Sequence, residues 1–193
     1  MNKESNDEEW IDIPEFEGYY QVSSFGNVKS LSRTVKHSSG NGVRSVKSAI
    51  KKSHVGNHGY PSITLCKSGK SYTKLVHKLM QQSFIEHFPQ QLPYVDHINM
   101  IKIDNILINL RECSASNSQA NKVKIKNASS IYKGVSWSKK YKKWLSYIKY
   151  NGKQYVLGTF VSEEDAGRTY DIEAIKYFKE FSNLNFNRSD YND

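Results

Sequence analysis

The sequence predicts an α+β protein made of several small modules. Only 37% of its 193 residues are hydrophobic, which limits any single core to a small size. Aromatic residues make up 12%, so rings must supply much of the buried surface. Short strand-like segments separated by Gly and Pro fill most of the chain, and few segments have helical spacing. Small sheets with few helices fit these three observations.

The first module is predicted at residues 9–55. Residues 10–28 are rich in aromatic side chains and interrupted by Pro14 and Gly18, which is typical of short strands joined by turns. Residues 35–52 contain few large apolar side chains, and we expect a loop there.

The second module is predicted at residues 58–122. Residues 60–65 alternate in the manner of a strand, a turn follows at 67–70, and a helix begins near Leu75. Residues 89–121 have almost no periodic pattern. Segments of this kind are often held by a metal or by a functional site.

The third module is predicted at residues 131–187, after a basic linker at 123–130. Three segments have the composition of strands: 132–137, 144–150 and 154–160. The Asn151-Gly152 pair between the last two is a strong hairpin signal.

A helix is expected after these strands. Ser162 can cap its first turn, with Asp165 three residues later in the position of a capping-box acid. Ala166, Tyr170 and Phe178 then recur at helical spacing. The sequence therefore predicts a three-stranded antiparallel sheet packed on one helix.

The charge distribution indicates a polyanionic partner. The formal charge is +9, with seven acids among the first 17 residues but none between Cys113 and Ser162, a stretch that holds ten lysines. This asymmetry is typical of a surface that contacts phosphates, although a solvated basic face is the alternative. We expect a nucleic acid as the partner.

Two other classes of protein are disfavoured. Cys66 and Cys113 lie far apart without a Cys-x-x-Cys pair, so neither a disulfide framework nor a structural zinc site is expected. The N-terminus is acidic, and no apolar run approaches the roughly 18 residues of a membrane span. We expect no membrane association and a protein that works inside the cell.

Asp96 and His97 are the residues best suited to catalysis. A carboxylate beside an imidazole suits phosphodiester hydrolysis, because the carboxylate can hold a divalent cation while the imidazole takes a proton from water. The alternative is an ordinary surface or hydrogen-bonded pair. Further polar residues follow at 104–105 and 109–111.

The segment Asp96-His97-Ile98-Asn99, followed by Asn109, resembles the HNH nuclease motif. The resemblance implies a central ββα-metal unit with Mg²⁺ or Mn²⁺ as its cofactor. In that unit His97 would be the general base, Asp96 a metal ligand, and Asn109 the residue that ties down the loop.

The chain departs from this family pattern at two places. Met100-Ile101 stands where Gly-Asp is usual, and Ser118 aligns with the second metal ligand, which is usually Asn. A serine hydroxyl binds a hard cation less well than an amide oxygen. A shift in register would bring Asn117 or Asn121 to that position.

His77 lies in a segment that resembles the helix before the motif. A packing or capping role is favoured for His77 over direct chemistry.

Residues 9–14, 18–23 and 25–30 resemble the nuclease-associated modular domain found at the head of many phage HNH enzymes. A small β-rich module without that kinship is the alternative. In either case Trp10 and Phe25 are expected in its core.

Residues 132–135, Trp144 and residues 157–160 resemble the ethylene-response-factor (Apetala) DNA-binding domain, in which the sheet enters the major groove. The contact positions of that family fall on Lys133, Ser136, Ser138, Lys140, Lys143, Lys149 and Gln154. Several of these are arginine in plant members, so looser base readout is expected here. Trp144 suits a groove contact or a core position equally.

Together these resemblances imply an HNH homing endonuclease of the phage or intron type, which hydrolyses or nicks double-stranded DNA at a preferred site. We expect a monomer in the cytoplasm of a phage-infected cell or of a host that carries a mobile element. One alternative is a catalytically decayed DNA-binding protein, which the residues Met100, Ile101 and Ser118 favour. Another is a transcriptional regulator built around the C-terminal sheet, in which Asp96 and His97 have no role.

Overall fold

The computed structural model describes residues 7–36, 42–88, 92–123 and 129–191. They form two compact units, Met1–Glu112 and Cys113–Asp193, so the boundary falls inside the second predicted module. Most of the predicted linker lies outside the described residues. Within the described part of the chain, no helix is long and apolar enough to cross a membrane.

The first unit is built mainly from short strands. They are β1 (Trp10–Asp12), β2 (Tyr20–Ser23), β3 (Val28–Ser30), β4 (Arg33–Lys36), β5 (Val43–Val46), β6 (Ala49–Lys51), β7 (His54–Val55), β8 (Pro61–Lys67) and β9 (Lys70–Leu75). The helix α1 (Val76–Ser83) comes next, followed by β10 (Tyr94–His97) and β11 (Leu110–Cys113).

Most of these strands pair with their neighbours in the chain. An antiparallel sheet has the order β1-β2-β3-β6, and a second has the order β7-β8-β9. β4 pairs with β5, and β10 with β11. The sequence predicted a loop at 35–52, and this prediction is wrong where β5 and β6 form. β5 pairs with β4 and β6 pairs with β3 through backbone hydrogen bonds, which need no buried apolar face. Residues 37–41 of that segment lie outside the described residues.

One core holds the first unit together. Ile13 and Val22 enter it from the first predicted module, and Leu65, Leu79 and Leu110 enter it from the second; each is at most 6% exposed. Residues of both predicted modules therefore share a single hydrophobic core.

Phe25, which the sequence placed in the core, is 44% exposed. That expectation is wrong because Phe25 lies in the tight turn between β2 and β3, where its backbone N–H bonds to Oγ of Ser23. Trp10 is partly buried at the start of β1, with the ammonium of Lys29 over its ring at 4.1 Å.

The second unit begins with α2 (Ala115–Asn121). An antiparallel sheet follows, in the order β12 (Val135–Ser138), β13 (Lys143–Tyr150), β14 (Lys153–Phe160). The helix α3 (Glu163–Phe178) packs on it through Tyr170 and Phe178, which meet Ile148 in the core. The predicted α+β class, with a three-stranded sheet on one helix, is confirmed.

The local signals behind that prediction are visible in the structure. Asn151 and Gly152 both have positive φ, 48° and 78°, as a tight hairpin turn requires. Oγ of Ser162 accepts the N–H of Asp165 at 3.2 Å and caps α3. Gly134 has φ 72°, and a Cβ there would lie 2.0 Å from the ring of Tyr170, so no other residue fits.

Candidate functional site

His97 lies at the end of β10 and is 4% exposed. Its Nε2 is 3.2 Å from Oδ1 of Asn105, whose Nδ2 donates to the carbonyl of Ile103 at 3.2 Å. The second bond points the amide oxygen of Asn105 at the ring, so Nε2 donates and Nδ1 carries the lone pair. The basic nitrogen of His97 is therefore Nδ1.

Aromatic rings surround His97. The ring of His77 lies edge-on at 5.5 Å and that of Tyr60 at 5.9 Å. Burial lowers the pKa of His97 below its ordinary value, although the hydrogen bond with Asn105 and the nearby carboxylates oppose this. The lowered pKa favours the neutral imidazole, which is the form that can accept a proton.

His77 on α1 is also buried, at 6% exposure. Burial, followed by the charges of His97 and Lys78, lowers the pKa of His77 to about 4. Its Nδ1 finds no hydrogen-bond partner among the described residues. The packing role favoured from the sequence agrees with this burial, and His77 does not cap α1, whose N-cap residue is Leu75.

Asp96 precedes His97 on β10 and forms an ion pair with Arg111 on β11. Nε and Nη2 of Arg111 donate to Oδ2 of Asp96 at 3.3 Å and 3.1 Å. The side chains of Asp96 and Arg111 are 11% and 17% exposed, so the pair is well shielded from solvent. No role was predicted for Arg111 from the sequence, although its position in the segment 109–111 beside the motif was a usable signal.

Asn109 closes the loop between β10 and β11. Its Nδ2 donates to Oδ1 of Asn99 at 3.0 Å and to the carbonyl of Asp104 at 2.8 Å. Its Oδ1 accepts the N–H of Asn99 at 3.0 Å. These three bonds join the start and the middle of the loop to one buried side chain at its end, which is the contact pattern expected of a loop-tying residue.

The turn between β2 and β3 supports the same loop. Gly26 has φ 79°, and a Cβ there would lie 2.7 Å from Cβ of Asn105. The N–H of Leu107 donates to the carbonyl of Ser24 at 2.8 Å. Because Asn105 holds His97, the first predicted module helps to fix the candidate base. The sequence provided no signal for this contact, since about 80 residues separate Gly26 from Asn105.

A divalent cation fits this site only if the protein supplies a few of its ligands and other molecules supply the rest. Within the described ranges, no group of three or more His, Cys, Asp or Glu side chains can hold a metal. Mg²⁺ commonly binds one or two carboxylates, with waters and substrate phosphates completing its shell. The bonds from Nε and Nη2 of Arg111 both reach Oδ2 of Asp96. This is compatible with a cation bound through the other carboxylate oxygen.

The second expected metal ligand, Ser118, lies on α2 in the second unit. Its backbone N–H donates to the carbonyl of Ser114 at 3.0 Å, as expected within the first turns of a helix. Ligation by Ser118, and by Asn117 or Asn121 in its place, stays a prediction.

Most of the expected DNA contacts share one face of the second unit's sheet. Val135 on β12 and Ile148 on β13 are buried under α3, so the residues alternating with them point to the opposite face. That face carries Ser136, Ser138, Lys143, Lys149 and Gln154. Lys140 lies in the exposed turn between β12 and β13. Trp144 is on the α3 side, edge-on to Trp137 at 5.0 Å.

Lys133 points elsewhere. Its Nζ donates to the carbonyls of Ala120 and Lys122, at the C-terminal end of α2. Burial lowers the pKa of Lys133 to about 8, partly opposed by Asp171. An ammonium at the end of a helix satisfies carbonyls that have no partner within the helix. A DNA contact by Lys133 stays a prediction, and the structure gives this side chain a different set of bonds.

Residues 8–66 match the family model described as the NUMOD4 motif. The chain is similar to the DNA endonuclease I-HmuI of Bacillus phage SP01, with 36% identity over 105 residues, which are 53% of this chain and 51% of the relative. A solved structure described as "DNA binding and cleavage by the HNH homing endonuclease I-HmuI" covers 55% of this chain and 52% of its own, at 36% identity and a TM-score of 0.42.

Plant proteins match a shorter stretch. APETALA2-like protein 2 of Oryza sativa subsp. indica is 41% identical over 68 residues, which are 35% of this chain and 16% of the relative. Ethylene-responsive transcription factor WRI1 of Arabidopsis thaliana is 38% identical over 73 residues, 33% of this chain and 17% of the relative. The chain thus spans about half the length of I-HmuI and a small part of the plant proteins. The family-model match and the sequence similarities to I-HmuI and the plant proteins confirm the three resemblances expected from the sequence.

Proposed function

We propose that this protein is a metal-dependent DNA endonuclease of the HNH homing type, which hydrolyses or nicks double-stranded DNA at a preferred site. The observation that carries the proposal is the buried His97, held through Nε2 and placed directly after the carboxylate of Asp96. The similarity to I-HmuI over 105 residues supports it.

In the proposed reaction, Nδ1 of His97 takes a proton from a water whose oxygen attacks the phosphorus. The bond from Nε2 to Asn105 then stabilises the imidazolium that forms. The P–O3′ bond breaks, the leaving 3′-oxygen takes a proton from solvent water, and the products are a 3′-hydroxyl and a 5′-phosphate. A Mg²⁺ or Mn²⁺ ion held by Asp96, with Ser118 as the second ligand, would offset charge on the scissile phosphate and the leaving oxygen.

In this proposal the sheet of the second unit is the DNA-binding surface. Lys143 and Lys149 on its open face contact phosphates, while Ser136, Ser138 and Gln154 give weaker base readout than arginine would. We further propose that the chain acts as a monomer inside a phage-infected or element-bearing cell.

A decayed, DNA-binding relative is the second candidate. Ser118 at the second ligand position favours it, and so do Met100 and Ile101. In that case Asp96 serves only its ion pair with Arg111 and binds no cation.

Cleavage of supercoiled plasmid carrying the gene's neighbouring DNA tests the proposal, with Mg²⁺ or Mn²⁺ present. We expect open-circular or linear product from the natural protein and from His54→Ala, an exposed control, but none from His97→Ala. Unbroken plasmid that is nevertheless shifted in a gel by all three proteins would establish the decayed candidate. Ser118→Asn is then the variant to test, and cleavage restored by it would identify the missing ligand.

A further inference from the structure

The loop between β10 and β11, here called the apolar loop (residues 98–108), has an unusual pattern of exposure. Six large apolar side chains in it face solvent, at 39% to 87% exposure: Ile98, Met100, Ile101, Ile103, Ile106 and Ile108. Single exposed apolar residues are common on protein surfaces, but a contiguous group usually marks an interaction site.

Several polar residues of the apolar loop form hydrogen bonds within the loop itself. Nδ2 of Asn99 donates to Asp104 at 2.6 Å, and Oδ1 of Asn99 accepts the N–H of Ile101 at 2.9 Å. Asn109 and Asn105 use their amides on backbone and side-chain groups of the same loop. Hydrogen bonds therefore fix the backbone of the loop, and its isoleucine side chains project from a backbone that is already ordered.

The position of the apolar loop argues for DNA as its occupant. Ile98 directly follows His97, and the N–H of Met100 donates to the carbonyl of His97 at 2.9 Å. Any phosphodiester that reaches His97 therefore brings its neighbouring base pairs to this loop. Between Gly18 and Val95 the same unit carries eleven Lys and Arg against one Glu, which suits a polyanion. A second copy of this +9 chain would instead be repelled.

We propose that the apolar loop is a wedge that inserts isoleucine side chains between base pairs beside the scissile phosphate. Apolar side chains used in this way unstack a base step and kink the duplex. The unstacking would open the groove toward His97 and bury surface that the free protein exposes. This inference rests on the proposed function, because it needs DNA at His97.

Permanganate footprinting tests it, since permanganate oxidises thymines that are not stacked. The full chain is bound in EDTA to duplex carrying the gene's neighbouring DNA, so that no cleavage occurs. The test variant is the double substitution Ile101→Ser and Ile108→Ser, at side chains 51% and 87% exposed. The matched control is Ile172→Ser with Val161→Ser, at 44% and 83% exposure in the second unit.

We expect reactive thymines next to the cleavage position with the natural and control proteins. The loop variant should lose that reactivity and bind DNA about tenfold more weakly. The single variant Ile108→Ala, at the most exposed position, should show part of the loss without any risk to folding.

Three outcomes would overturn the wedge alone. Cutting by the natural protein without reactive thymines would remove it while leaving the endonuclease intact. Undiminished reactivity with the loop variant would do the same. A natural protein that sediments as a dimer, with the loop variant monomeric, would show that a second copy covers the loop. Failure of the natural protein to bind DNA would overturn the proposed function together with the wedge, whereas binding with reactive thymines but without cutting would overturn only the endonuclease.

Discussion

Asn99 and Asn109 exchange two hydrogen bonds, each 3.0 Å long: Nδ2 of Asn109 donates to Oδ1 of Asn99, and the N–H of Asn99 donates to Oδ1 of Asn109. The pair joins the start of the loop after His97 to the residue just before β11. Since Asn109 is only 9% exposed, neither bond can be replaced easily by water.

Asn109→Ala should therefore lower the free energy of unfolding of the first unit by about 3 kcal/mol, because it removes three hydrogen bonds and takes this partner from the N–H of Asn99 and the carbonyl of Asp104. Urea unfolding measures this. Asn57→Ala, at an exposed position, is the control and should change stability by less than about 0.5 kcal/mol. Equal stability of the two variants would contradict the loop-tying role.

Met100 has φ 62°, in the left-handed region that favours glycine. Glycine is also usual at this position in the family pattern, so the substitution has a structural cost. Met100→Gly should stabilise the protein by about 1 kcal/mol, whereas Met100→Ala keeps the strained backbone and should not. Thermal unfolding of the two variants checks this, and a loss of stability with glycine would contradict it.

Lys133 and Lys143 should behave differently although both were expected to contact DNA. Lys133→Met removes bonds to the carbonyls of Ala120 and Lys122, and should cost about 2 kcal/mol of stability. Lys143→Met should leave stability unchanged and reduce the slope of log affinity against log salt by about 0.9, as loss of one phosphate contact does. Urea unfolding and DNA binding at several salt concentrations measure the two effects. A reduced salt slope with Lys133→Met and normal unfolding would show that Lys133 contacts DNA.

His77 should make stability depend on pH. In the folded protein its pKa is about 4 against an ordinary value of 6.5, so the unfolded chain binds a proton that the folded chain does not. The contribution of His77 is therefore constant above about pH 6.5 and falls as pH drops toward 4, by about 3 kcal/mol in total.

The variant His77→Phe, which keeps a ring but cannot titrate, should flatten this dependence. The difference in unfolding free energy between pH 7 and pH 4.5 is the quantity to compare, because groups other than His77 contribute to both proteins. His54→Phe, at an exposed position, serves as the control. Equal slopes for the natural protein and His77→Phe would refute the effect.

The structure of the second unit's sheet and α3 was predictable because its signals are local. The turn at Asn151-Gly152 and the cap at Ser162 act within a few residues. The spacing of Tyr170 and Phe178 likewise defines the buried face of α3 from the helix alone. Asp96, His97 and Asn109 could be proposed as site residues from the sequence alone, since the motif that carries them spans fewer than 20 residues.

Tertiary structure alone decided how those site residues are held. The ring of His77 beside His97, and Gly26 against Asn105, join residues that are distant in the chain. Such contacts depend on how the strands and α1 share one core, and no local pattern encodes that packing. The direction of Lys133 was decided in the same way, because α2 offers carbonyls at its end that only the folded second unit brings to the ammonium. The sequence thus determined which groups are present, and packing determined which of them are buried, paired or left open to a partner.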